Sequence, residues 1–179
     1  MPFMSDESLR FPIGKLSFVP AANADLRATW IAQIAETPAR VADAVKGLTP
    51  AQLATRYRDG GWTLAQVVNH LADSHVNAYI RMRFIIAEDG FTVKPYAENV
   101  WAELPDARSV EIGSSLELLR GLHARWTAFL HALEPAQFDR AYTHPESGPG
   151  TLDKLIQVYA WHGRHHAAHI TTTRARHGW

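Results

Sequence analysis

The stretch Trp161-His162-Gly163-Arg164-His165-His166-Ala167-Ala168-His169 carries four of the chain's ten histidines, and their spacing sets the terms for the fold. At about 100° per residue on a helix, His162, His165, His166 and His169 project within roughly 100° of one another. Extending that stripe along the helix adds Leu155, Val158 and Thr173, so the imidazoles stand on the face that packs inward rather than the one that meets water. A polar stripe in a core needs a partner. Two neutral imidazoles at i and i+4 can direct a ring nitrogen to one ion. The pair His162 and His166 and the pair His165 and His169 both meet that spacing, and periodicity does not choose between them. For each ring, hydrogen-bonded burial is the alternative.

Working outward, the rest of the chain reads as helices around that stripe. Thr63 and Gln66 form a capping box that opens a long helix running to about Glu88. His70 shares its face with Thr63, Val67, Ser74, Asn77 and Arg81, whereas His75 lies about 140° away around the axis. The mixed polar face makes His70 the candidate third ligand. Three histidines would leave an open coordination position, as catalytic zinc sites do, and an ion there could lower the pKa of a bound water or thiol. Neutral nitrogen donors suit zinc or nickel. His75, His123, His131, His144 and His177 are read as packed or surface residues.

Leu26, Trp30, Ile34, Val41 and Val45 give one buried face to a helix from about Asn23 to Lys46, which Pro38 should kink or split. Thr49-Pro50-Ala51-Gln52 caps a short helix. Residues 90–110 lack periodicity and read as a long connection across the body. Helices from about Ser114 to Leu133 and from Thr151 to Arg176 complete the set. Leu48-Thr49-Pro50-Ala51-Gln52 returns as Leu133-Glu134-Pro135-Ala136-Gln137, an echo that predicts two related helical hairpins packed as a four-helix bundle. The expected class is therefore all-α, with one domain over residues 23–179. Pro12, Gly14 and Pro20 make residues 1–22 an extended N-terminal arm laid over the body, with too many breakers for a helix.

Composition bounds the function. With 179 residues, 46% apolar and 20% charged, the chain can bury one substantial core. Eighteen basic residues balance eighteen acidic ones, so no long-range field draws nucleic acid or anionic lipid, and neither is expected as a partner. The chain has no cysteine, so thiol chemistry would need a thiol cosubstrate. No apolar run resembles a signal peptide or membrane span, and the expected location is the cytoplasm.

The ordered strings Arg10-Phe11-Pro12-Ile13-Gly14, Tyr57-Arg58-Asp59-Gly60-Gly61-Trp62-Thr63, His70-Leu71-Ala72-Asp73-Ser74-His75, Lys94-Pro95-Tyr96, His123-Ala124-Arg125-Trp126, His144-Pro145-Glu146 and Tyr159 through Ile170 resemble the DinB superfamily, in its YfiT-like branch of metal-dependent hydrolases. The resemblance spans almost the whole chain. It implies a four-helix bundle with a metal triad of one histidine from the second long helix and two, spaced by four, from the last. Carried over residue by residue, it names His70, His165 and His169 as metal ligands, with zinc or nickel as the ion and a homodimer as the assembly. One departure is Asn69, where close relatives tend to carry a second histidine beside the ligand.

The same resemblance implies hydrolysis of a small-molecule substrate by metal-activated water. Related branches instead resemble S-transferases that activate a low-molecular-weight thiol of the bacillithiol, mycothiol or glutathione kind. A third reading is a non-catalytic metal-binding interaction module. Candidate catalytic helpers are Arg81, to hold an anionic substrate, and Asp73 or Glu98, to orient a ligand or act as a base. As structural residues these would be a rim charge, a helix-face carboxylate and a loop solubiliser.

Overall fold

The computed structural model describes residues 5–20 and 23–179. The remainder of the expected arm, residues 1–4 and 21–22, lies outside the described residues. Helix α1 covers Asp6–Arg10, α2 Ala24–Val45, α3 Pro50–Leu53, α4 Leu64–Ala87, α5 Glu98–Trp101, α6 Gly113–His131 and α7 Leu152–His177. A 3-10 turn at Pro135–Asp139 leads into a hairpin of β1, Ala141–His144, and β2, Gly148–Thr151.

The caps fall where side chains can satisfy free amides. Thr49 with Gln52 and Thr63 with Gln66 each form a reciprocal capping box, and Thr151 accepts from the Lys154 amide to start α7. Two expectations fail locally. The arm does contain a helical turn, because Ser5 caps Asp6–Arg10 before Pro12 is reached. The echo at residues 133–137 gives only a 3-10 turn, and the hairpin after it carries no hydrophobic alternation that would announce it, with Gly148, Pro149 and Gly150 in its second strand.

The four long helices pack α2 on α7, α2 on α6, α4 on α6 and α4 on α7. Hence α2 lies diagonally across from α4, and α6 from α7. The two halves do not form separate hairpins, as the echo predicted; each half's long helices sit on opposite corners, and every lateral contact joins one half to the other. One core cluster, with Ile34, Met82, Trp126 and Ile156, fills one end, and a second, with Val41, Leu64, Leu119 and Ile170, fills the other. Between them runs the polar layer of histidines.

Close approach of α2 to α7 depends on Gly163, where a Cβ would collide with the side chain of Thr37. At the far end Arg27 of α2 makes a forked ion pair with Asp153 of α7, Nε to Oδ1 at 2.8 Å and Nη2 to Oδ2 at 2.7 Å. The arm is clasped along α7: Gln157 exchanges two hydrogen bonds with the backbone of Val19, and Trp161 Nε1 donates to Gly14 O at 3.3 Å. Asn69 donates to Ala107 O at 2.9 Å and accepts from Ser115 Oγ at 2.7 Å, so it fastens the long connection to the bundle and stays out of the histidine layer. Replacing Gly163 with Ala should force α2 from α7 and lower the unfolding free energy by about 1–3 kcal/mol, as overpacking does; urea denaturation of the two proteins measures it.

Candidate metal centre

His70 comes from α4, two turns past the Thr63 cap, and His162, His165, His166 and His169 come from the adjacent α7. All five line one cavity of about 420 Å³. Aromatic rings close its walls: Trp62 lies 4.5 Å from His70, Tyr57 4.1 Å from His169, and Trp161 stacks on His165 at 4.1 Å between ring centres. Phe11 of the arm and the Gly60-Gly61 turn complete the rim.

Within the cavity the ring nitrogens fall into two sets of three whose ligand atoms lie within 4.8 Å of one another. One is His70, His162 and His166. The other is His165, His166 and His169. The trio implied by the family resemblance, His70 with His165 and His169, draws on both sets. Nε2 of His70 is 3.4 Å from Nε2 of His162, close to the separation of about 3.3–3.4 Å that two nitrogens have on a tetrahedral ion with bonds of 2.0–2.1 Å. Nδ1 of His166 is 3.3 Å from Nδ1 of His169, whose Nε2 is 3.1 Å from the carbonyl of Arg10. Nδ1 of His165 is buried without a hydrogen-bond partner. Neutral imidazoles crowded into one cavity in two overlapping trios, with a buried nitrogen left over, fit a divalent ion of nitrogen preference.

Burial keeps these rings neutral. It pulls His70 down to about 4, helped by repulsion from His169 and His165. His165 falls to about 3 and His169 to about 4, again chiefly through desolvation. His162 and His166 lie well below the ordinary histidine value for the same reason, and so does His75. Neutral nitrogens are what a metal requires.

The remaining candidates separate clearly. Glu98, on α5, lines the cavity. Arg81 does not; it donates to Lys94 O at 2.9 Å and lies over the Tyr96 ring. Asp73 also lies off the cavity, half-buried, and is raised by burial and by Asp106. Sequence reasoning passed over Arg10 and Arg58, which both line the cavity; Arg58 Nε is buried and unpaired. The string Tyr57-Arg58-Asp59-Gly60-Gly61 held the signal, a cation beside a tight turn. His75 and His123, read as packing residues, touch the site from behind: His75 Nε2 lies 3.0 Å from His162 Nδ1, and His75 Nδ1 lies 2.8 Å from His123 Nε2.

The signature of the DinB superfamily matches residues 33–170. The chain belongs to the DinB superfamily. Among its members, a Bacillus mycoides protein bearing the name metal-dependent hydrolase is 46% identical over 97% of this chain and 99% of its own length. A Bacillus cereus protein of the same name is 44% identical over 96% and 98%. YfiT from Bacillus subtilis, a solved structure described as a "probable metal-dependent hydrolase with an unusual four-helix bundle topology", superposes with a TM-score of 0.93 at 43% identity, covering 96% of this chain and 99% of that one. A second four-helix bundle protein, 17% identical with a TM-score of 0.54, shares the fold alone. No helix among the described residues is long and apolar enough to cross a membrane.

The depressed histidines make the metal-free protein acid-sensitive. Below about 6.5 the unfolded chain takes up protons that the folded rings refuse until about 4, so the unfolded state binds more protons and stability falls with falling pH across that window. Each such ring adds a slope of up to ~1.4 kcal/mol per pH unit. Thermal melts of metal-free protein from pH 7 to pH 4 should show a steep drop in Tm that His165→Phe makes shallower.

Proposed function

We propose that this DinB superfamily member is a hydrolase that holds one divalent ion, zinc or nickel, in the histidine cavity and uses it on a small substrate. The observation that carries the reading is the convergence of neutral ring nitrogens from α4 and α7 on one point. The ligands that geometry favours are His70, His162 and His166, the set that joins both helices within 4.8 Å. The Arg10 carbonyl supports this choice. It can only accept, so His169 carries its proton on Nε2 and offers Nδ1 to the Nδ1–H of His166. That arrangement leaves the Nε2 lone pair of His166 free and makes His169 its support. The set implied by family resemblance, His70 with His165 and His169, is the second reading, and the unpartnered His165 Nδ1 favours it.

A divalent ion bound there supplies Lewis acidity, which lowers the pKa of a water or thiol brought beside it. The chain's own residues do the rest. Trp62, Tyr57, Trp161 and Phe11 exclude bulk water from the walls. Glu98 stands at the cavity as the group to accept or return a proton. Arg58 and Arg10 hold an anionic part of the substrate, the role that the sequence pointed to for Arg81; Asp73 and Arg81 stand outside the cavity. No cysteine exists to serve as nucleophile, so an S-transferase reaction would take its thiol from solution.

Zinc titration against a chromophoric chelator separates the ligand sets. His162→Ala and His166→Ala should each weaken zinc by more than roughly 100-fold, beyond the usual effect of outer residues, while His165→Ala stays within roughly 10-fold. The opposite ranking gives the site to His165 and His169. With the ion loaded, ester or amide cleavage without added thiol supports hydrolysis; turnover only when a small thiol is present moves the protein to the S-transferases, and neither leaves a binding module.

A further inference from the structure

Behind His162 a chain of hydrogen bonds crosses the bundle. It starts at the carbonyl of Ile34 in α2. In an unbroken helix that carbonyl would receive the amide of residue 38, but residue 38 is proline and has no N–H. α2 continues through Pro38, so the proline neither splits the helix nor ends it. What it does is leave an acceptor in the core. His123 of α6 takes it, with Nδ1 2.7 Å from Ile34 O.

A carbonyl accepts and never donates, so the direction of every later bond follows. His123 must carry its proton on Nδ1, which leaves Nε2 as a lone pair. His75 of α4, with Nδ1 2.8 Å away, must donate to it, leaving its own Nε2 bare. His162 of α7, with Nδ1 3.0 Å from that nitrogen, must donate in turn. Three contacts consume three protons, one for each neutral ring. His75 and His123 are fully buried, at 0% and 2% exposure, and among the described residues no carboxylate takes part in the chain. The last free valence is the Nε2 lone pair of His162, 3.4 Å from Nε2 of His70. Because a carbonyl cannot pass a proton onward, the chain fixes tautomers rather than conducting protons.

We infer that His75 and His123, anchored on the Ile34 carbonyl that Pro38 leaves unpaired, are positioning residues of the metal centre: they hold His162 in its Nδ1–H tautomer, with Nε2 turned to His70 and the ion. This rests on the reading of His162 as a ligand. Tautomer control of this kind normally falls to a carboxylate or a carbonyl in direct contact with the ligand; here two further imidazoles relay it across the bundle.

Long-range proton–nitrogen NMR of ¹⁵N-histidine protein, free of metal, reads the ring pattern directly and needs no variant. His162, His75 and His123 should each show protonated Nδ1 and bare Nε2, and a protonated Nε2 on His162 or His75 would overturn the inference. His75→Phe and His123→Phe fill the space without the bonds; each should blur His162 toward mixed tautomers and weaken zinc about 10- to 100-fold. His123→Gln keeps a donor and an acceptor and should restore most of the affinity. If the phenylalanine variants keep both the wild-type pattern and affinity, the relay has no role. Failure of the underlying ligand reading looks different: His162→Ala would then hold zinc normally while the wild-type ring pattern stayed as described.

Discussion

One backbone acceptor, the carbonyl of Ile34 with no amide to receive, organises the middle of this bundle. A buried carbonyl without a partner costs on the order of 1–3 kcal/mol, so the core must offer it a donor, and His123 does so. From there each imidazole can satisfy its neighbour in only one way, through His75 to His162. The path visits α2, α6, α4 and α7 in turn. The same bonds that fasten the four long helices at mid-height therefore determine which ring nitrogens are bare in the cavity. Stability and site chemistry share one set of protons.

The diagonal arrangement makes this possible. Were each half of the chain a closed hairpin, α4 would lie beside α2 and could adjoin only one of α6 and α7, so its histidines could not meet both of those helices. With α4 beside both α6 and α7, its two histidines face different ways and are both used: His70 into the cavity, and His75, about 140° round the axis, into the core behind it. The arm adds a second anchor from outside, through the Arg10 carbonyl on His169. Two carbonyls, one internal and one on the arm, thus bracket the histidine layer.

Much of the fold was legible in the sequence because it rests on local rules. Capping boxes at Thr49 and Thr63 place the starts of the helices they open to within a residue or two. The inward histidine stripe and His70 were legible from helical period. What was hidden is non-local. Periodicity could not separate His162 and His166 from His165 and His169, since both pairs keep the i, i+4 interval; the distinction arises from what stands behind each ring. Nor could it reveal that Pro38, read as a kink or a split, frees an acceptor for a residue 89 positions later. The hairpin at 141–151 escaped because it is held by Val93 and Phe91 of the long connection through Thr143 rather than by its own pattern, and Arg58 because its unpaired Nε matters only once the cavity exists.

Kinship with proteins named as metal-dependent hydrolases tells which chemistry to look for, while the neutral, cysteine-free donor set tells what kind of ion could answer. The most direct measurement is a crystal structure of the zinc-loaded protein with anomalous data on both sides of the zinc edge. The expected result is a single strong peak bound by Nε2 of His70, His162 and His166, with His75 and His169 hydrogen-bonded to the far nitrogens of the last two. A peak on His165 and His169, or one outside the histidine cavity, would contradict it.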